Sequence, residues 1–80
     1  MRVSVKTKVT KQAMIQVLIA EELRTWNTLM FDIWYYGETS REAAASRNAW
    51  SVMHTTLFQL CIPAKQGPER RDMITIPKMA

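Results

Sequence analysis

The first 36 residues contain neither glycine nor proline, and this constrains the fold more than any other feature of the sequence. Because nothing between Lys11 and Tyr36 ends a helix, this run predicts one helix of 26 residues, about 39 Å long. Thr10 is placed to cap its first turn. Gly37 follows, and a glycine can take the left-handed conformation that ends a helix at little steric cost.

A second helix is predicted directly after this glycine. "TSRE" is a capping box, in which the Thr39 hydroxyl accepts a hydrogen bond from the Glu42 amide and the Glu42 carboxylate returns to the Thr39 amide. A run of alanines favours the helix, which we expect over residues 40–61 because Pro63 prevents its continuation. The loop between the helices is so short that they must form an antiparallel hairpin.

The two chain ends carry β-like patterns. "RVSVKTKV" alternates polar with apolar or β-branched residues, which predicts a short strand at residues 3–9, or otherwise a polar arm. "MITI" at residues 73–76 offers a second brief strand that could pair with the first, since both ends of the hairpin emerge together. A two-stranded ribbon is marginal in water, so a second copy of the chain is expected to complete the sheet.

The expected fold class is therefore mainly α, an antiparallel two-helix hairpin with a short N-terminal strand that dimerises into a helical bundle. Residues 1–62 are assigned to one hairpin domain, and residues 63–80 to a C-terminal tail that begins as a loop. A chain of 80 residues buries only a modest fraction of its surface when it folds alone, which also favours an oligomer.

The net charge of +4 is concentrated at the two ends of the chain. Residues 2–11 carry a charge of +4, residues 12–60 carry −2 and residues 61–80 carry +2. Basic ends of this kind can meet phosphate or an acidic partner, or they can simply keep the chain in solution.

The number of cysteines and the hydropathy of the chain limit the cellular compartments in which the protein is expected. Cys61 is the only cysteine, so no intrachain disulfide or cysteine-based metal site is expected, and we predict a buried thiol in a reducing cytoplasm. One histidine and one cysteine do not make a set of metal ligands. No uncharged run approaches the roughly 18 residues of a spanning helix, so no membrane partner is expected.

Large apolar side chains lie on two sides of the first predicted helix. Val17, Phe31 and Tyr35 fall opposite the core stripe, where a hairpin alone would leave the two rings in water. Exposed apolar patches commonly mark interfaces, so these residues are the predicted protein interface, with a second copy of the chain as partner. A different protein ligand, and cover by the C-terminal tail, are the alternatives. The core stripe itself contains Ile15, Ile19, Leu23, Trp26, Met30 and Ile33.

Glu22 and His54 fall within the predicted apolar stripes of the two helices. Counting outward from a turn centred near Glu38 places them opposite each other, so we predict a buried hydrogen-bonded pair with a structural role. Catalysis is not expected, because no third orienting group, nucleophile arrangement or glycine-rich phosphate loop accompanies the pair. The sequence therefore predicts no catalytic, cofactor-binding or metal-ligating residue.

The segment "RVSVKTKV", followed by a helix and then by "GETSREAA", resembles the ribbon-helix-helix DNA-binding repressors. In that family the N-terminal strands of a dimer enter the major groove of DNA, and polar strand residues contact bases. The first helix of the family is shorter than the run of 26 residues predicted for this chain. The resemblance implies that the residues facing DNA are Arg2, Ser4, Lys6 and Lys8.

The longer stretch "VKTKVTKQAMIQVLIAEELRTWNTLMFDIWYYGE", with the capped helix after it, is similar to small uncharacterised proteins of enterobacterial prophages and satellite phages. That resemblance implies an accessory or regulatory protein that binds another macromolecule, such as a host or phage protein. The leading prediction is a non-enzymatic interaction or regulatory module that works as a helical homodimer. A basic-armed transcriptional regulator that binds DNA is the alternative.

Overall fold

The computed structural model describes residues 10–72, which form two α-helices packed against each other as an antiparallel hairpin. Helix α1 spans Lys11–Tyr36, with the bounds predicted from sequence, and helix α2 spans Arg41–Gln59, slightly shorter than predicted. Residues 10–72 contain no strand. The strands predicted at residues 3–9 and 73–76 lie outside the described residues.

The ends of α1 follow from two local hydrogen bonds. The Thr10 hydroxyl accepts from the Ala13 amide at 3.0 Å, which confirms Thr10 as the N-cap. The Gly37 amide donates to the Ile33 carbonyl at 3.0 Å and closes the last turn. Gly37 has φ 105° and ψ 151°, so it departs from the predicted left-handed conformation but still occupies a region that is open almost only to glycine.

The N-cap of α2 is Ser40, so the capping box predicted at Thr39 was wrong by one residue. The Ser40 hydroxyl accepts from the Ala43 amide at 3.1 Å and donates to the Gly37 carbonyl at 2.7 Å. This position lets Ser40 connect the turn to the new helix, and Ala43 in the first turn of that helix is fully buried. The helix stops before Cys61, which has φ 58° and is exposed rather than buried as predicted.

The core between the helices is small. Among residues 10–72 the buried apolar side chains are Leu29, Met30, Ala43 and Leu57. Leu29 and Met30 pack against half-buried rings and an isoleucine, which are Trp26, Ile33, Trp34 and Trp50. Little apolar surface is thus removed from water, and polar contacts must contribute to holding the hairpin.

Residues 63–72, called the return segment below, have irregular backbone, as predicted, and turn back to lie against the middle of α1. The Asn27 side chain makes two hydrogen bonds to this segment, donating to the Glu69 carbonyl and accepting from the Arg71 amide, each at 2.9 Å. Trp26 Nε1 donates to the Arg71 carbonyl. The first part of the predicted tail is therefore attached to the hairpin.

Candidate functional site

Glu22 is the most deeply buried large side chain of the described region, with no exposed surface. The Arg70 guanidinium donates to both of its carboxylate oxygens, each at 2.8 Å. Trp50 Nε1 donates to Oε2 of the same carboxylate, also at 2.8 Å. One carboxylate therefore joins α1, α2 and the return segment.

Aromatic rings enclose this ion pair. The Arg70 guanidinium carbon lies 4.8 Å from the centre of the Trp26 ring, in the geometry of a cation–π contact. The rings of Trp26 and Trp50 are 5.1 Å apart. With 16% of the Arg70 side chain exposed and none of Glu22, water screens this ion pair less than it screens the exposed pair of Arg24 and Glu21.

Hydrogen bonding from Arg70 lowers the pKa of the Glu22 carboxyl, and the Trp50 indole adds to this effect, while burial opposes it. The same contact raises the pKa of Arg70. Both groups are therefore charged at neutral pH, and the cluster is a fixed ion pair.

The predicted partner of Glu22 was wrong, although its burial was predicted correctly. His54 is exposed and makes no hydrogen bond to Glu22, and its ring stacks on Trp50 at 4.7 Å between centres. The indole of Trp50, one turn earlier on α2, is long enough to reach the carboxylate first. Arg70 was missed because nothing periodic places the return segment. The usable signal was that a buried carboxylate needs a cation, for which arginine is the preferred partner.

The stability of the hairpin is expected to fall at low pH because of this carboxyl. The pKa of this carboxyl is lowered in the folded chain. Its contribution to the free energy of unfolding is therefore fully present above the unfolded-state pKa of about 4.3 and is lost as the pH falls through the folded-state pKa. Urea unfolding of wild type and Glu22→Gln from pH 6 downward measures this. Wild type should lose more free energy of unfolding than the variant, and parallel pH profiles would contradict the assignment.

The outer side of α1 carries exposed rings near the turn. Phe31 and Tyr35 are 45% and 62% exposed, and their rings stack at 5.4 Å with an angle of 11° between planes. Trp34 and Tyr36 extend the group, with contacts of 6.0 and 4.9 Å to the Tyr35 ring. We call these four residues the aromatic patch. The exposure predicted for Phe31 and Tyr35 in a single chain is confirmed.

Val17 is also exposed, at 63%, but the structure does not bring it next to the rings. It lies about 21 Å from Phe31 along the helix axis. Between them Arg24 makes two hydrogen bonds to the Glu21 carboxylate, at 2.6 and 3.1 Å, and the Thr28 hydroxyl donates to the Arg24 carbonyl. A cavity of about 380 Å³ opens beside this polar stretch, lined by Arg24, Asn27, Thr28, Phe31 and Arg71.

Some of the other predicted features lie outside the residues that the structure describes. The candidate DNA-contacting residues Arg2, Ser4, Lys6 and Lys8 lie outside the described residues. Within residues 10–72, no group of three or more histidine, cysteine or acidic side chains could hold a metal ion. Neither described helix has the length and apolar character needed to cross a bilayer.

The described chain is thus a two-helix hairpin closed by a return segment, with an ion pair inside and an aromatic patch outside. Comparison with known protein families, with curated proteins and with solved structures found no match.

Proposed function

We propose that this protein is a non-enzymatic accessory or regulatory protein that acts as a protein-interaction module through a homodimer. The observation that carries the proposal is the stacked and solvent-exposed ring pair of Phe31 and Tyr35. The resemblance to small prophage and satellite-phage proteins supports a host or phage protein as the target of the dimer.

These two rings have the properties that favour burial in a protein–protein interface. Aromatic side chains are enriched at interfaces, and each buries about 150–250 Å² when covered. Because Phe31 and Tyr35 already stack on each other, part of the entropy cost of ordering them has been met before a partner binds. The small core between the helices means that covering this patch would also stabilise the hairpin.

The chemistry of the polar side chains supports a non-enzymatic role. Both carboxylate oxygens of Glu22 are occupied by donors from Arg70 and Trp50, so this carboxylate is not available as a general base. His54 is exposed, and within residues 10–72 it makes no hydrogen bond to a carboxylate that could orient it. A catalytic pair is therefore not assembled from these two residues.

The double variant Phe31→Asp with Tyr35→Lys is expected to be monomeric, because charges replace the rings that a partner would cover. Multi-angle light scattering should give twice the chain mass for wild type and the single chain mass for the variant. A matched control is Val52→Asp with Phe58→Lys, since these side chains are 64% and 77% exposed on α2. The control should remain dimeric, and a monomeric wild type would contradict the proposal.

DNA binding is the second candidate function, and the distribution of charge favours it. Residues 10–72 contain seven basic and seven acidic side chains, so the whole excess of +4 lies in residues 1–9 and 73–80. Fluorescence anisotropy with a DNA duplex at two salt concentrations tests it, because binding through phosphate contacts weakens steeply as salt rises. The triple variant Arg2→Ala, Lys6→Ala and Lys8→Ala should then abolish the binding, and equal affinities for wild type and variant would exclude a DNA-binding arm.

A further inference from the structure

Seven residues of α1 form a heptad seam on its outer side, and at one end of the seam Met14 also lines a cavity with Leu60 and Ile62, which follow α2. The seven residues are spaced alternately by three and four residues, the spacing with which helices pair in coiled coils. All are exposed except Glu21, whose side chain is still 43% exposed. The members of this outer seam are Met14, Val17, Glu21, Arg24, Thr28, Phe31 and Tyr35.

The outer seam is polar in its middle and apolar towards both ends. Apolar side chains lie at both ends, Met14 and Val17 at one and Phe31 and Tyr35 at the other. Between them lie one acidic, one basic and one uncharged polar side chain, those of Glu21, Arg24 and Thr28. A seam of this kind is complementary to a second copy of itself when the two run in opposite directions.

We infer that two copies of this chain pack antiparallel along their outer seams, with Glu21 of each protomer opposite the partner's Arg24. This inference rests on the proposed function and assigns the interface of the proposed homodimer. The same register places Met14 opposite the partner's Phe31 and Val17 opposite the partner's Thr28. Tyr35 then lies opposite the partner's Thr10, at the start of α1. The cavity of about 380 Å³ beside Thr28 then receives the partner's Val17.

Charge selects this register over the alternatives. A parallel pair would place Glu21 on the partner's Glu21 and Arg24 on the partner's Arg24, which is repulsive. An antiparallel pair shifted by one heptad would place Glu21 opposite the partner's Phe31, and a buried charge without a partner is costly. In the inferred register the internal pair of Glu21 and Arg24, joined at 2.6 Å, becomes half of a four-charge network.

Cysteine cross-linking distinguishes these arrangements. Val17→Cys and Thr28→Cys, each made with Cys61→Ser and distinguished by size tags, are oxidised mildly, alone and mixed. In the inferred register residues 17 and 28 of two protomers meet, whereas identical positions are separated by about 16 Å along the axis, too far for a disulfide. The mixture should therefore give about tenfold more covalent dimer than either protein alone.

The outcomes separate the register from the proposed dimer. Efficient cross-linking of Val17→Cys with itself would show a parallel pair and overturn the inference. A dimeric mass by light scattering without mixed cross-linking would overturn the register and leave the proposed dimer standing. A monomeric mass for both cysteine variants would overturn the register and the proposed dimer together.

A charge exchange provides an independent test. Glu21→Arg and Arg24→Glu should each associate with itself at least about tenfold more weakly than wild type, because the network becomes all basic or all acidic. Mixing the two variants should restore association, since each basic side chain then meets an acidic one. Failure of the mixture to exceed the separate variants would overturn the inference.

Discussion

Arg70→Ala is expected to lower the free energy of unfolding by about 3 kcal/mol. The variant leaves the Glu22 carboxylate, which has no exposed surface, with the Trp50 indole as its hydrogen-bond donor. Removing one partner of a buried pair typically costs about 3 to 5 kcal/mol, and the exposed 16% of the Arg70 side chain places this site at the lower end.

Urea unfolding followed by circular dichroism measures the effect. Arg71→Ala is the matched control, because Arg71 is exposed and its contacts to Trp26 and Asn27 are made by backbone atoms that the substitution keeps. The free energy of unfolding should fall much less in this control than in Arg70→Ala. Equal losses in the two variants would mean that the ion pair does not hold the return segment.

The loss is large compared with the stability expected for the whole chain. A domain of 80 residues has about 4–12 kcal/mol in total, so Arg70→Ala could unfold a weakly stable hairpin. Arg70→Lys keeps the charge but cannot make the two-pronged contact, so it should retain part of the stability. The Glu22→Gln background gives a further check, because Arg70→Ala should cost less there than in wild type.

The helices were predictable from sequence because their limits depend on local chemistry. The absence of glycine and proline before Gly37 gave the bounds of α1, and the position of Pro63 gave the approximate end of α2. The cap of α2 was off by one residue because Thr39 and Ser40 are adjacent, chemically alike and both able to cap a helix.

The ion pair was only half predictable because it depends on distant parts of the chain. The helical period placed Glu22 in the core, but the period of α2 could not tell whether Trp50 or His54 would reach it. Arg70 lies 48 residues away in a segment without periodicity, so no local pattern positioned it. The exposure of the outer face of α1 was predictable, because the position of Phe31 follows directly from helix geometry. The dimer stays a prediction.

Trp26→Ala is expected to cost about 3 kcal/mol of stability and to release the return segment. Trp26 contacts the Trp50 ring in a tilted arrangement, lies under the Arg70 guanidinium and donates a hydrogen bond to the Arg71 carbonyl. The substitution removes all three contacts at once. The milder variant Trp26→Phe keeps a ring but loses the donor, and about 1 kcal/mol should be lost.

Hydrogen exchange of the Arg71 amide reports the release directly, because this amide donates to the Asn27 side chain. Its exchange should become faster in Trp26→Ala, since the segment would then be held to α1 by the Arg70–Glu22 ion pair and the Asn27 hydrogen bonds without the Trp26 contact. Trp34→Ala is the matched control, because Trp34 is also half-buried and also packs against the core of Leu29 and Met30, while its ring contacts are with Phe31 and Tyr35 and not with the return segment. An unchanged Arg71 exchange rate in Trp26→Ala, or an equal increase in Trp34→Ala, would mean that the indole of Trp26 does not hold the return segment against α1.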